Sequence, residues 1–150
     1  MSHLQDFLNE VETWVGTPFF TEGCTKGIKG GANCAHWFAD AVSKTVPGSE
    51  AILEAFDWTH MAIITNPRDV MPEIMEKVAV EISLKEIQPG DILFTRIRRK
   101  SSTPAVYIGD GQFVWCNWSM KQIVKMPVME NYLKRLTHVY RLKAFVEEKL

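Results

Sequence analysis

The spacing of apolar residues divides the chain into a helical first half and a strand-rich second half. Leu4, Phe7, Leu8, Val11, Trp14 and Val15 recur at three- and four-residue steps. That is the period of one helix face, and it predicts a helix from about His3 to Val15. Gly16-Thr17-Pro18 ends it, since proline cannot donate to the next turn and glycine suits a C-cap. A loop with Gly23, Gly27, Gly30 and Gly31 follows. Asn33 is then an N-cap candidate for a second helix, Cys34 to about Lys44, with Trp37, Phe38, Ala41 and Val42 as its buried stripe. Pro47-Gly48 closes that helix. Ala51 to Trp58 and Pro72 to Val78 read as further helices, with Asn66-Pro67 a break between them.

From Ile87 the period changes to two. Gln88-Pro89-Gly90-Asp91 is a turn, and Ile92 to Ile97 alternates as a strand does. Ala105 to Ile108 is a short apolar strand, and Gly109-Asp110-Gly111 is a hairpin turn. Phe113 to Trp118, Gln122 to Met126 and Thr137 to Leu142 continue the meander. Pro104, which lacks an N–H, suits an edge or strand-opening position. Helices first and strands second predict an α+β fold, with helices packed on one face of an antiparallel sheet.

Composition narrows this picture. The chain has 150 residues, the size of one domain (1–150) around one core. Its net charge of -1 with scattered lysines and arginines lacks the electrostatic footprint of a nucleic-acid binder. The basic run Arg96, Arg98, Arg99, Lys100 reads as a solvated strand end, with an anion or polymer contact as the lesser alternative. No stretch approaches the roughly 18 apolar residues of a membrane span. Met1 to Glu10 lacks the pattern of a signal peptide. The expectation is a cytoplasmic protein, or one delivered as part of a particle. Three cysteines, Cys24, Cys34 and Cys116, match no zinc template, and reduced thiols are the simplest reading. A Cys24–Cys34 bridge stays open. No metal or cofactor is expected.

Cys34 carries the candidate chemistry. An ordinary thiol is only a few per cent ionised at neutral pH, and the thiolate is the nucleophile. A helix N-terminus favours the anion through its partial positive charge and unpaired N–H groups. The alternative is a small buried hydrophobe.

The segments around it resemble the NlpC/P60 cysteine peptidases. Trp14-Val15-Gly16-Thr17-Pro18-Phe19 is similar to the family's W-x-G-T-P-Y start, and Asn33-Cys34-Ala35-His36 to its D-C-x-G helix opening. Ile87 to Phe94 is similar to its L-x-P-G-D-L-V-F strand, and Val106 to Val114 to its I-Y-I-G-D-G-x-x-I hairpin. Tyr132-Leu133 and Val139-Tyr140-Arg141 fit its closing segment. The resemblance covers about residues 5 to 143 and implies a papain-like fold. The length and the long glycine loop are most like the version found in phage tails and related particles.

The same resemblance places the family's catalytic histidine at Thr103 and its third catalytic residue at Trp115. Phe19 stands for the tyrosine of the groove, Asn33 for the acidic residue before the nucleophile, and His36 for a glycine. The nucleophile remains while its base and orienter are replaced. Among other histidines, His36 sits two residues from Cys34, a spacing that does not bring helical side chains together. His60 lies in a segment able to fold over the groove. His138 reads as an ordinary sheet residue, and His3 as a solvated one.

Trp115, Cys116, Asn117 and Trp118 form either an aromatic platform or alternating core and surface positions. The methionines read as packing. One functional expectation is an inactive module holding a peptide or glycan strand, of peptidoglycan type, through Trp14, Trp115 and the glycine loop, with phage-tail or other protein partners. The other is an active cysteine hydrolase or acyltransferase with a relocated base.

Overall fold

The structure is a computed structural model. It describes residues 2–20, 24–32, 35–50, 52, 71–98 and 101–146, with the backbone alone at 71–72, 97–98 and 101–102. Helix α1 is His3–Glu12, opened by Ser2, whose hydroxyl accepts the Gln5 N–H at 3.1 Å. It buries Leu4, Phe7, Leu8 and Val11. It stops short of Val15 because the next donors, the N–H groups of Thr13, Trp14 and Val15, bond carbonyls three residues back at 3.1–3.2 Å and tighten into turns. Gly16, at φ +92°, sends its N–H to the Ile123 carbonyl at 2.8 Å.

The glycine loop contains two short paired strands that the apolar pattern does not announce, β1 (Cys24–Thr25) and β2 (Gly31–Ala32). Helix α2 is His36–Thr45 and buries Trp37, Phe38, Ala39, Ala41 and Val42. Its N-cap is Ala35, which makes no side-chain capping bond. The expected start at Cys34 with Asn33 as cap is thereby corrected. Capping logic looks for a polar side chain, and this helix opens without one. The expected helix from Ala51 to Trp58 and the Asn66-Pro67 break lie outside the described residues, apart from Ile52, which is helical and buried. Helix α3 is Met71–Val78.

The sheet has the strand order β3-β8-β4-β5-β6-β7, with every neighbouring pair antiparallel. Its strands are β3 (Ala79–Glu81), β4 (Ile92–Arg98), β5 (Ser101–Gly109), β6 (Gln112–Asn117), β7 (Gln122–Met126) and β8 (Leu136–Leu142). A four-residue helix, α4 (Glu130–Leu133), joins β7 to β8. Strand β5 is longer than its apolar run suggests and runs between β4 and β6. Pro104 is therefore inside a central strand, not on an edge. It pairs with Phe94 of β4, while the β6 ladder begins one residue later at Ala105.

Alternation along the strands gives the sheet two apolar faces. Phe94, Val106, Val114, Cys116, Ile123, Tyr140 and Leu142 join the core built by α1 and α2. Leu93, Ala105, Trp115, Val124 and Val139 form a second cluster with Val128, against which Tyr132 and Leu136 pack. The connection through α4 thus covers the second face.

The Pro89-Gly90-Asp91 turn locks the sheet to the first helix. Gly90 has φ +97°, and a Cβ there would lie 2.5 Å from Leu4 Cδ1. Asp91, 1% exposed, accepts the Gln88 N–H at 2.7 Å and two N–H groups of Arg141 at 2.9 Å each. Arg141 also donates to the Glu86 carbonyl at 2.9 Å. The hydrogen bond to Asp91 raises the guanidinium pKa further above its already high ordinary value.

Candidate functional site

Cys34, Asn33 and His60 lie outside the described residues, so the site is built from what surrounds them in the chain and the fold. Ala35, next to Cys34 in sequence, is buried in the first core, and His36 is the half-buried first residue of α2. Cys24 is half-buried and Cys116 is buried, and the Cys24–Cys34 bridge left open by the sequence lies, with Cys34, outside the described residues.

Thr103 and Trp115 come together. Ala105 faces Trp115 in register, and Thr103 precedes Ala105 by two residues on the same strand face. They are diagonal cross-strand neighbours, a relation that allows side chains to interact. Thr103 is 3% exposed and Trp115 is 2% exposed. The Trp115 indole N–H donates to the Met126 carbonyl at 3.1 Å. Its ring meets Tyr132 edge-on, with centroids 5.0 Å apart. Trp115 is therefore a packed member of the second cluster rather than a displayed platform.

Trp14 is packed as well. It is buried in the first core, and its indole N–H reaches Glu10 Oε2 at 3.2 Å. Lys26 lies over its ring, 5.4 Å from the centroid, and pairs with Glu10 at 2.7 Å. A ligand at this place meets Lys26 before it meets the indole. Phe19 is half-buried and tilts against Trp118, with centroids 4.8 Å apart. Its N–H donates to the Lys121 carbonyl at 2.8 Å, and residues 17–19 run beside the start of β7. The G-T-P segment thus borders the rim of the sheet through an isolated bridge and backbone hydrogen bonds.

His138 is the residue whose setting the sequence concealed. It lies on β8 opposite Phe94, on the face shared with Tyr140, where the α2 layer packs. Its ring stacks on Tyr140 with centroids 5.4 Å apart and planes 9° apart. Its Nδ1 is buried and has no hydrogen-bond partner. A buried polar atom left so costs about 1–3 kcal/mol. Strand periodicity could have placed the residue on this face, but only coordinates reveal the missing partner.

Among the described residues no three His, Cys, Asp or Glu side chains converge on a metal position. No described helix is long and apolar enough to cross a membrane.

Comparison with known proteins fits this geometry. No curated protein matches the chain in sequence. Among solved structures, an NlpC/P60 family protein from Bacillus cereus ATCC 10987 superposes with a TM-score of 0.60 at 18% identity. The match covers 93% of this chain and 40% of that one. The peptidoglycan hydrolase RipB of Mycobacterium tuberculosis matches with a TM-score of 0.57 at 14% identity, over 93% of this chain and 64% of its own. RipD of the same organism, described as a non-catalytic NlpC/p60 domain protein adapted to peptidoglycan binding, matches with a TM-score of 0.55 at 16% identity. There the overlap is 95% of this chain and 98% of that one. The chain thus spans less than two thirds of the first two. The model of the NlpC/P60 family matches residues 31–142, three quarters of the sequence, and the chain belongs to that family.

Proposed function

We propose that this NlpC/P60 domain binds a peptide or glycan strand of peptidoglycan type without cleaving it, keeping Cys34 at the nucleophile position with no imidazole at the base position. The observation that carries this reading is the fate of Thr103 and Trp115. A hydroxyl cannot accept a proton usefully at neutral pH, and an indole offers only a donor. Here that donor is already committed to the Met126 carbonyl. A positioned general base supplies about 10²–10⁴-fold in rate, and its loss leaves a thiol of ordinary reactivity. RipD, described as non-catalytic and peptidoglycan-binding, is a precedent for the fold in such a role. The long glycine loop supports a place in a phage tail or related particle.

The test is incubation of purified protein with peptidoglycan sacculi and with small acyl and γ-glutamyl amides. The expected outcome is co-sedimentation with sacculi and no release of new amines. Turnover that disappears in Cys34→Ala overturns the reading.

One observation favours a second reading, an active thiol hydrolase or acyltransferase with a relocated base. It is the unpartnered Nδ1 of His138 on the face where α2 packs. In that reading Cys34 gives its proton to the base and attacks an amide or ester carbonyl, the C–N or C–O bond breaks as the amine or alcohol leaves with that proton, and the acyl-enzyme then passes its acyl group to water or another acceptor. Cys34-dependent turnover lost in His138→Asn, with folding retained, is its signature. Turnover indifferent to His138 removes it.

A further inference from the structure

Two stretches of this chain, residues 92–109 and 131–142, contain no aspartate or glutamate. The sheet places them side by side, because β4 pairs with β5 on one flank and with β8 on the other. Six of the chain's 17 lysines and arginines fall in these stretches near one end: Arg96, Arg98, Arg99, Lys100, Lys134 and Arg135. Arg99, Lys100 and the side chain of Arg98 lie outside what is described, so the geometry rests on Arg96, Lys134 and Arg135. The Arg96 N–H donates to the Arg135 carbonyl at 2.9 Å. That bond fastens the turn after α4 to the basic end of β4, two segments some forty residues apart in sequence.

Arg96, Lys134 and Arg135 are all exposed. None of the three forms an ion pair among the described residues. A chain with 18 acidic residues has carboxylates enough to neutralise such a cluster, yet none is placed in either stretch. The acid nearest in sequence is Glu130, exposed at the start of α4 four residues before Lys134, and it forms no ion pair among the described residues; the nearest strand bearing one is β3, whose Glu81 lies opposite Tyr140. Closely spaced cations repel one another, and a multivalent anion relieves that repulsion.

The chemistry of the surface selects among polyanions. The large exposed apolar side chains at this end are Met129 and Leu133, both aliphatic. The neighbouring aromatic, Tyr132, is occupied against Trp115. Single-stranded nucleic acid is held by stacking its bases on aromatic rings, and such a platform is missing among the described residues here. A flexible aliphatic phosphodiester needs only spaced cations.

We propose that this end of the sheet docks an aliphatic phosphodiester polymer, of the glycerol-phosphate kind, through Arg96, Lys134 and Arg135. The three cations are not residues on which the peptidoglycan reading rests, and the probe is a different polymer, so the two readings are tested separately.

Fluorescence anisotropy with a labelled short poly(glycerol phosphate) tests it, with a labelled oligothymidylate as the second arm. Binding is expected to weaken roughly twentyfold between about 50 and 200 mM salt, as three phosphate contacts require. Combining Arg96→Glu, Lys134→Glu and Arg135→Glu is expected to lower affinity at least tenfold. Lys77→Glu with Lys85→Glu, exposed lysines elsewhere, leaves it unchanged. Should the triple variant fail to fold, the single variants Lys134→Gln and Arg135→Gln each reduce the salt slope by nearly one. Absence of binding at low salt, indifference to the triple variant, or tighter binding of oligothymidylate each overturns the proposal.

Discussion

Asp91 shows how much a single buried carboxylate can hold. It satisfies the Gln88 N–H and two N–H groups of Arg141, and so joins the turn before β4 to the end of β8. Asp91→Ala leaves a largely buried guanidinium without its partner, and urea titration is expected to record a loss of about 3–5 kcal/mol. The raised pKa of Arg141 fixes the pH behaviour. A cation whose folded pKa is raised contributes fully below its unfolded pKa, and loses that contribution only as pH climbs through the folded value. For arginine that window lies far above neutrality. The stability gap between wild type and Asp91→Asn arising from Arg141 is therefore flat between about pH 6 and pH 9, and a gap that narrows toward pH 9 contradicts it. Trp115 offers a graded test of its packed role. Trp115→Phe keeps most of the ring but strands the Met126 carbonyl, at a cost of about 1–2 kcal/mol. Trp115→Ala empties the cluster, at about 3–5 kcal/mol. Near-zero effects would mean that the indole serves a ligand instead.

At the scale of elements, turns separate strain from crowding. Gly90 and Gly111 both have positive φ, but a Cβ meets Leu4 only at Gly90 and finds open space at Gly111. Gly111→Ala is expected to cost about 1 kcal/mol through strain alone. Gly90→Ala adds overpacking and costs about 2–4 kcal/mol; equal thermal shifts for the two would refute the distinction. The elements most readable in the sequence were those with a long unbroken period. The apolar stripes of α1 and α2 and the alternation of β4, β6, β7 and β8 follow directly from side-chain geometry. Short elements escaped, since β3 spans three residues, α4 four, and the β1–β2 pair only two each. They are held by what lies beside them, as β3 is by β8. The site divides likewise. Motif spacing singled out Thr103 and Trp115 as candidates, whereas the packing of Trp115 depends on Met126 and Tyr132 from other elements.

Over the whole molecule, the helical layer and the sheet share one core. Phe38 of α2 meets Phe7, Trp37 and Phe94 edge-on, with centroids 6.2–6.4 Å apart. Phe38→Ala is expected to cost about 3–5 kcal/mol. It should shift far-ultraviolet dichroism and tryptophan fluorescence together, as one cooperative unit requires. Separate midpoints would show that the layers unfold independently. The rim of the sheet adds a constraint of another kind. Thr17 and Phe19 exchange backbone hydrogen bonds with Ile123 and Lys121, about a hundred residues later in the chain. At synthesis rates of about 5–20 residues per second, the earlier segment leaves the ribosome some 5–20 s before its partner exists. Throughout that interval the Gly16 and Phe19 N–H groups and the Thr17 carbonyl lack these partners and have only water or a chaperone to bond. A nascent chain stalled before β7 would therefore present a sticky, unfinished border near its own beginning.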